Sequence, residues 1–179
     1  MATDKLKLGY QAPNFLLKAT DGNTYSLESF RDKRAIIVMF SCKHCPYVQA
    51  YEDRIIELQG FYKKYIQIVA VNSNEDDNYP EDSFEKMIER AKTRAFNFLY
   101  LRDDTQEVAK AYGATHTPEI FLFNEERKLV FHGKIDDNWQ DPKSVKSMYL
   151  RNALEDLLSG KQVAVPETFT IGCTIKWKQ

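Results

Sequence analysis

The 179-residue sequence predicts one α/β domain, a central mixed β-sheet flanked by helices with an N-terminal β-hairpin extension. Three observations carry that expectation. Ala35 to Phe40 is a continuous apolar run, which suits a strand covered on both faces better than an alternating surface strand. A long helical face follows it, and Tyr65 to Val71 then reads as the next strand, so strand, helix and strand form a βαβ unit. Farther on, Glu119 to Asn124 and Leu129 to His132 flank the charged turn Glu125-Glu126-Arg127-Lys128 and read as an antiparallel pair. Parallel and antiparallel pairs together make the sheet mixed.

The elements follow in order. Asn14 to Leu17 and Thr24 to Leu27 surround Asp21-Gly22-Asn23, a hairpin signal. After the central strand, Pro46 suits the first turn of a helix, where its missing N–H costs little. Behind it Val48, Tyr51, Ile55, Leu58 and Tyr62 recur every three or four residues along one face. The stretch from Asn72 to Glu81, with Pro80, is polar and reads as a loop. Phe84, Met87, Ile88, Ala91 and Ala95 mark a second helix, followed by the apolar stretch Phe98 to Leu101. A turn of helix is expected from Asp104, capped with Glu107 three positions on and ending near Gly113. Asp141-Pro142 opens a last helix with Val145, Met148, Tyr149, Leu154, Leu157 and Leu158 on its apolar face, ending at Gly160. Residues 1–160 thus form the domain, and 161–179 an extended C-terminal extension, carrying Cys173 and Trp177, packed on it.

Composition narrows the function. With 43% hydrophobic and 28% charged residues the chain has the material of a folded core. A net charge of -1, from 25 basic and 26 acidic residues, gives no global field toward nucleic acid or an anionic membrane, so neither is expected as a partner. The longest apolar run is far short of the ~18 residues a membrane span needs. Met1 to Tyr10 lacks the apolar stretch of a secretory signal, and the expected address is cytoplasmic. Three cysteines are too few, and an odd number, for a secreted disulfide scaffold.

Cys42-Lys43-His44-Cys45 is the motif with chemistry in it. The spacing serves zinc sites and redox pairs alike, and context separates them. A closed zinc site needs four ligands, and Cys173, His44, His116 and His132 supply no second spaced pair, so no metal or cofactor is expected. The pair lies instead between an apolar strand and a helix start. There the unpaired N–H groups and the macrodipole favour an anion, which assigns Cys42 as the thiolate nucleophile. Cys45, one turn further in, can displace whatever Cys42 captures. His44 can stabilise the Cys42 thiolate or be a solvated loop residue, and Lys43 can add positive potential or stay wet. Thr117-Pro118 precedes the strand at Glu119; a cis bond there would leave a backbone edge beside Cys42, whereas spacing alone favours an ordinary trans proline.

At this point the chain resembles the thioredoxin-like superfamily. The order of hairpin, strand ending in Phe40-Ser41-Cys42-Lys43-His44-Cys45-Pro46, helix, strand, helix and Thr117-Pro118-Glu119 before the last hairpin and helix carries the likeness. Gly9-Tyr10-Gln11-Ala12-Pro13-Asn14-Phe15-Leu16-Leu17 with Asp21-Gly22 is similar to the alkyl hydroperoxide reductase/thiol-specific antioxidant (redoxin) branch. The resemblance implies a nucleophile at Cys42, a resolving Cys45, a cis Pro118 and exchange of electrons with a protein or peptide thiol and a thiol reductant or oxidant. Two alternatives are a thiol peroxidase using Cys42 and a non-catalytic metal-binding or interaction module.

Departures from that pattern are specific. The position of the buried aspartate of thioredoxin is Ile36, and that of the glutamate of maturation-type relatives is Val48, leaving Glu52 and His116 as candidate proton acceptors. The peroxidatic Pro-x-x-x-Thr/Ser-x-x-Cys pattern meets Met39 and Ala35 counted from Cys42, and Cys42 and Val38 counted from Cys45, so it fails in both registers. For Cys173 two readings stand: a buried small hydrophobe, or a third redox thiol on a tail that returns to the site.

Overall fold

The structure, a computed structural model, describes residues 4–179; the first three residues of the N-terminal reading lie outside them. Seven strands form one mixed sheet in the order β2-β1-β5-β4-β3-β7-β8. They are β1 (Leu17–Ala19), β2 (Thr24–Tyr25), β3 (Ala35–Ser41), β4 (Ile66–Asn72), β5 (Leu99–Arg102), β7 (Glu119–Phe123) and β8 (Leu129–Gly133). A separate pair joins β6 (His116–Thr117) to β9 (Cys173–Thr174).

Every residue of β3 is buried, as its continuous apolar sequence requires. It runs parallel to β4 and antiparallel to β7, with Val38 facing Val69 on one side and Phe121 on the other. Alternate side chains feed two cores. Ile37, Met39, Ile68 and Leu122 pack under α1 (Pro46–Tyr62), α2 (Phe84–Thr93) and α4 (Tyr149–Leu158). Ile36, Val38, Phe40 and Phe121 pack against α3 (Glu107–Tyr112) and the N-terminal segment, and Ile175 of the tail joins this second core. The hairpin β1-β2 extends the sheet, because β1 also pairs with β5.

Two local expectations are corrected. The α3 start is satisfied by Asp103, not Asp104: Asp103 carboxylate oxygens accept from the backbone N–H groups of Val108 and Ala109, while Gln106 turns the chain at φ 65°. The last helix does not begin at Asp141-Pro142. Asp141 caps only a short 3₁₀ turn, Pro142–Ser144, after which Val145 is extended. The intervening residues are spent on the loop of Asp137, whose N–H bonds to Ser147 O and whose carboxylate accepts from Lys146 N. Helix α4 therefore starts at Tyr149.

Glu119 fixes the turn that leads to the site. Its buried carboxylate accepts from the backbone N–H groups of Thr115 and His116, from Lys5 Nζ and from His132 Nε2 at 2.8 Å. Burial opposes the charge, but the bonds from His132, Lys5 and Thr115 outweigh it and hold the carboxyl down at about 2. A carboxylate whose folded pKa lies below its unfolded value stabilises above the unfolded pKa, and that stability is lost as the pH falls toward 2. Glu119→Gln is accordingly expected to lower stability at neutral pH by on the order of 3 kcal/mol and to flatten the acid limb. Urea unfolding at neutral and acid pH checks this, and an acid limb unchanged by the substitution contradicts it.

Candidate active site

The motif residues lie where β3 gives way to α1. Cys42 follows the last residue of β3, Cys45 is the N-cap of α1, and Pro46 occupies its first turn. Both thiols are buried, and both meet Thr117: Cys42 Sγ lies 3.4 Å from its Oγ1, and Cys45 Sγ lies 3.4 Å from its carbonyl oxygen. The Thr117–Pro118 peptide bond is cis. An apolar cavity lined by Met39, Val48, Tyr51, Tyr100 and Pro118 opens against Cys42. Cys173 is the third sulfur, with its Sγ 2.8 Å from Cys45 Sγ.

The loop between the cysteines is held by Asp82, a fully buried carboxylate on the 3₁₀ turn Pro80–Asp82. Its oxygens bind the Lys43 backbone N–H, His44 Nδ1 and Asn74 Nδ2. Tyr79 stacks on the other side of the His44 ring, and Lys43 Nζ pairs with Glu81. His44 is thus held by Asp82 and Tyr79 while 31% of its side chain stays exposed. Cys42, His44 and Asp82 each offer one donor atom within 4.8 Å of the other two, one donor short of a closed four-ligand zinc site.

Of the acceptors considered from the sequence, Glu52 is buried but committed to Arg90, with Arg90 Nε 3.0 Å from Glu52 Oε2. His116 bonds to Thr115 Oγ1 and makes no bond to either motif cysteine. Asp82 lies one residue past the polar loop Asn72 to Glu81, and a lone aspartate there gives no signal of its burial.

The residue at the N-cap position of α1 is Cys45, one turn on from Cys42, and it makes no side-chain cap bond there. Its thiol is lowered to about 4 by the Cys42 thiol, with Cys173 and the Val48 N–H adding to that effect against burial. Cys42 is pushed up by the same contact with Cys45, by burial and by the nearby Asp82 charge. Cys173 is raised to about 11 by burial and by Cys45. One contact gives both directions: the Cys42–Cys45 approach that lowers Cys45 raises Cys42.

Residues 7–149 match the model of the Redoxin family. The chain belongs to the Redoxin family. Among curated relatives of this redoxin, thiol-disulfide oxidoreductase ResA of Bacillus thuringiensis subsp. konkukian is 27% identical over 130 residues, 71% of this chain and 69% of that one. ResA of Bacillus subtilis is 25% identical over 127 residues, 71% of this chain and 67% of that one. Two solved structures match nearly end to end. An uncharacterized conserved protein from Geobacillus kaustophilus is 40% identical with a TM-score of 0.92, covering 99% of this chain and 96% of that one. A hypothetical protein from Sinorhizobium meliloti 1021 is 37% identical with a TM-score of 0.92, covering 98% and 97%. More distant structures, such as the thioredoxin domain of a Bacteroides vulgatus thiol-disulfide oxidoreductase at 21% identity and a TM-score of 0.61, share the fold. The fold is thioredoxin-like, and the redoxin is an oxidoreductase.

The charge distribution is measurable. The reduced redoxin is expected to show thiolate ultraviolet absorbance at neutral pH, below the range of a free thiol near about 8.5. Cys45→Ser should remove it, and Cys42→Ser should move its midpoint upward, because the foremost stabilising neighbour is lost. Absorbance that appears only in the alkaline range contradicts the arrangement.

Proposed function

We propose that this redoxin is a thiol-disulfide oxidoreductase that exchanges electrons with protein or peptide thiols through Cys42 and Cys45. The observation that carries the reading is the convergence of both thiols on Thr117, next to Pro118, at the mouth of α1. Cys42 is the attacking sulfur: it borders the small, mostly apolar cavity beside Pro118, whereas Cys45 Sγ is engaged by Thr117 O and Cys173. Its proton faces the Cys45 thiolate, so a shift of that proton within the pair activates Cys42 without an external base. Cys42 then attacks a substrate disulfide, expels one substrate thiolate and forms a mixed disulfide. Cys45 attacks Cys42 in turn, releasing the second substrate thiol and leaving a Cys42–Cys45 disulfide. A thiol reductant restores the dithiol, and the reverse sequence oxidises a substrate.

The peroxidase alternative lacks its motif: Met39, where the pattern counted from Cys42 needs a hydroxyl, is apolar and buried.

Turnover of a peptide disulfide by single-cysteine variants tests the proposal. Cys42→Ser is expected to fall to the rate without protein. Cys45→Ser should retain attack at a reduced rate and accumulate a mixed disulfide at Cys42, visible as a mass increase removed by reductant. Undiminished turnover in both variants would falsify the assignment.

A further inference from the structure

The C-terminal tail occupies the edge beside Pro118. Strand β9 runs antiparallel to β6, with Thr117 opposite Cys173 and His116 opposite Thr174, and Ile175 N bonds to Thr115 O at 2.9 Å. The tail is anchored beyond this point, where Lys176 O accepts from Glu75 N and Gln106 Nε2, and Lys176 N bonds to Asn74 Oδ1. Gly172 lies directly on the Thr117–Pro118 peptide. A Cβ at that position would come within 2.1 Å of Thr117 O and 2.7 Å of its carbonyl carbon, so only glycine permits the approach. The result is an extended segment held by backbone bonds at the site's edge, with its cysteine pointing at the site: Cys173 Sγ is 2.8 Å from Cys45 Sγ.

We propose that Cys173 is a third redox-active residue of this site, acting as a built-in thiol that takes Cys45 over from Cys42. The idea rests on the dithiol reading above and extends it. After a substrate disulfide has oxidised the pair, Cys173 loses its proton to solvent and its thiolate attacks Cys45 Sγ. The Cys45–Cys173 bond forms as the Cys42–Cys45 bond breaks, the electron pair leaves on Cys42, and Cys42 takes up a proton. The step is an exchange with no net oxidation, and it needs no reagent beyond the substrate disulfide. Once Cys45 is in a disulfide it no longer bears the charge that helps hold the Cys173 proton, while Lys176 continues to favour the thiolate. Cys42 emerges free, and the oxidising equivalents rest between the helix cap and the tail.

Trypsin cuts after Arg34, Lys43, Arg54, Lys161 and Lys176, so the three cysteines fall on three different peptides and every pairing can be told apart. The full-length reduced protein is oxidised with one equivalent of a peptide disulfide, quenched in acid, alkylated and mapped by mass spectrometry. The expected result is a Cys45–Cys173 linked pair in excess over Cys42–Cys45, with Cys42 alkylated. In Gly172→Val the Cys45–Cys173 link should fall by about tenfold or more relative to Cys42–Cys45, because the overpacked tail leaves Thr117. A wild-type map holding only Cys42–Cys45, with Cys173 fully alkylated, overturns the third-thiol role and leaves the dithiol reading intact. A map with no cysteine linkage at all overturns both. A Cys45–Cys173 link undiminished in Gly172→Val overturns the claim that docking on Thr117 presents the thiol.

Discussion

Thr117 is the residue on which the site is assembled. Its hydroxyl meets Cys42, its carbonyl meets Cys45, its backbone pairs with Cys173, and its peptide to Pro118 forms the floor on which Gly172 rests. Four contacts at one residue leave it little freedom, and the surrounding structure supplies the restraint. Glu119 holds the two backbone N–H groups ahead of it, and β7 begins immediately after Pro118, locked into the sheet beside β3. The same β3 delivers Cys42 at its end. Cys42 at the end of β3 and Thr117 just ahead of β7 are therefore brought together by the pairing of those two strands, over a distance that a loop alone would not keep constant.

Charge in the site follows from this placement. A buried thiolate is costly unless hydrogen-bond donors or a helix N-terminus offset the burial, and at Cys45, the N-cap residue of α1, the Val48 N–H works in that direction. Asp82 adds a second negative charge nearby, but its oxygens are occupied by the Lys43 N–H, His44 and Asn74, so it acts first as the clamp that shapes the Cys42–Cys45 loop. The contact with Cys45, burial and the Asp82 charge all push the Cys42 thiol up.

Much of the sheet is legible in the sequence because its signals are local. The apolar run at Ala35, the Pro46 helix start, the Gly113 stop and the hairpin around Glu125-Glu126 each sit within a few residues of where the structure has them. The α4 start is missed because the competing partner, Asp137, is contributed by another turn. The site divides the same way. Cys42, Cys45 and Pro118 announce themselves by spacing and residue type, whereas the burial of Asp82 and the return of the tail depend on contacts across 38 to 128 positions that no local pattern encodes. Gly172 next to Cys173 was the one available sign of close backbone approach, and it is meaningful only once Thr117 is seen above it.

Whether the site holds a two-electron dithiol couple can be decided by counting thiols. The reduced chain, denatured and titrated, holds three, the number of its cysteines. Equilibrated first with an oxidising thiol buffer, it is predicted to hold one, at a potential that a two-electron couple describes. Three thiols persisting under oxidising conditions, with the fold intact, would contradict the account.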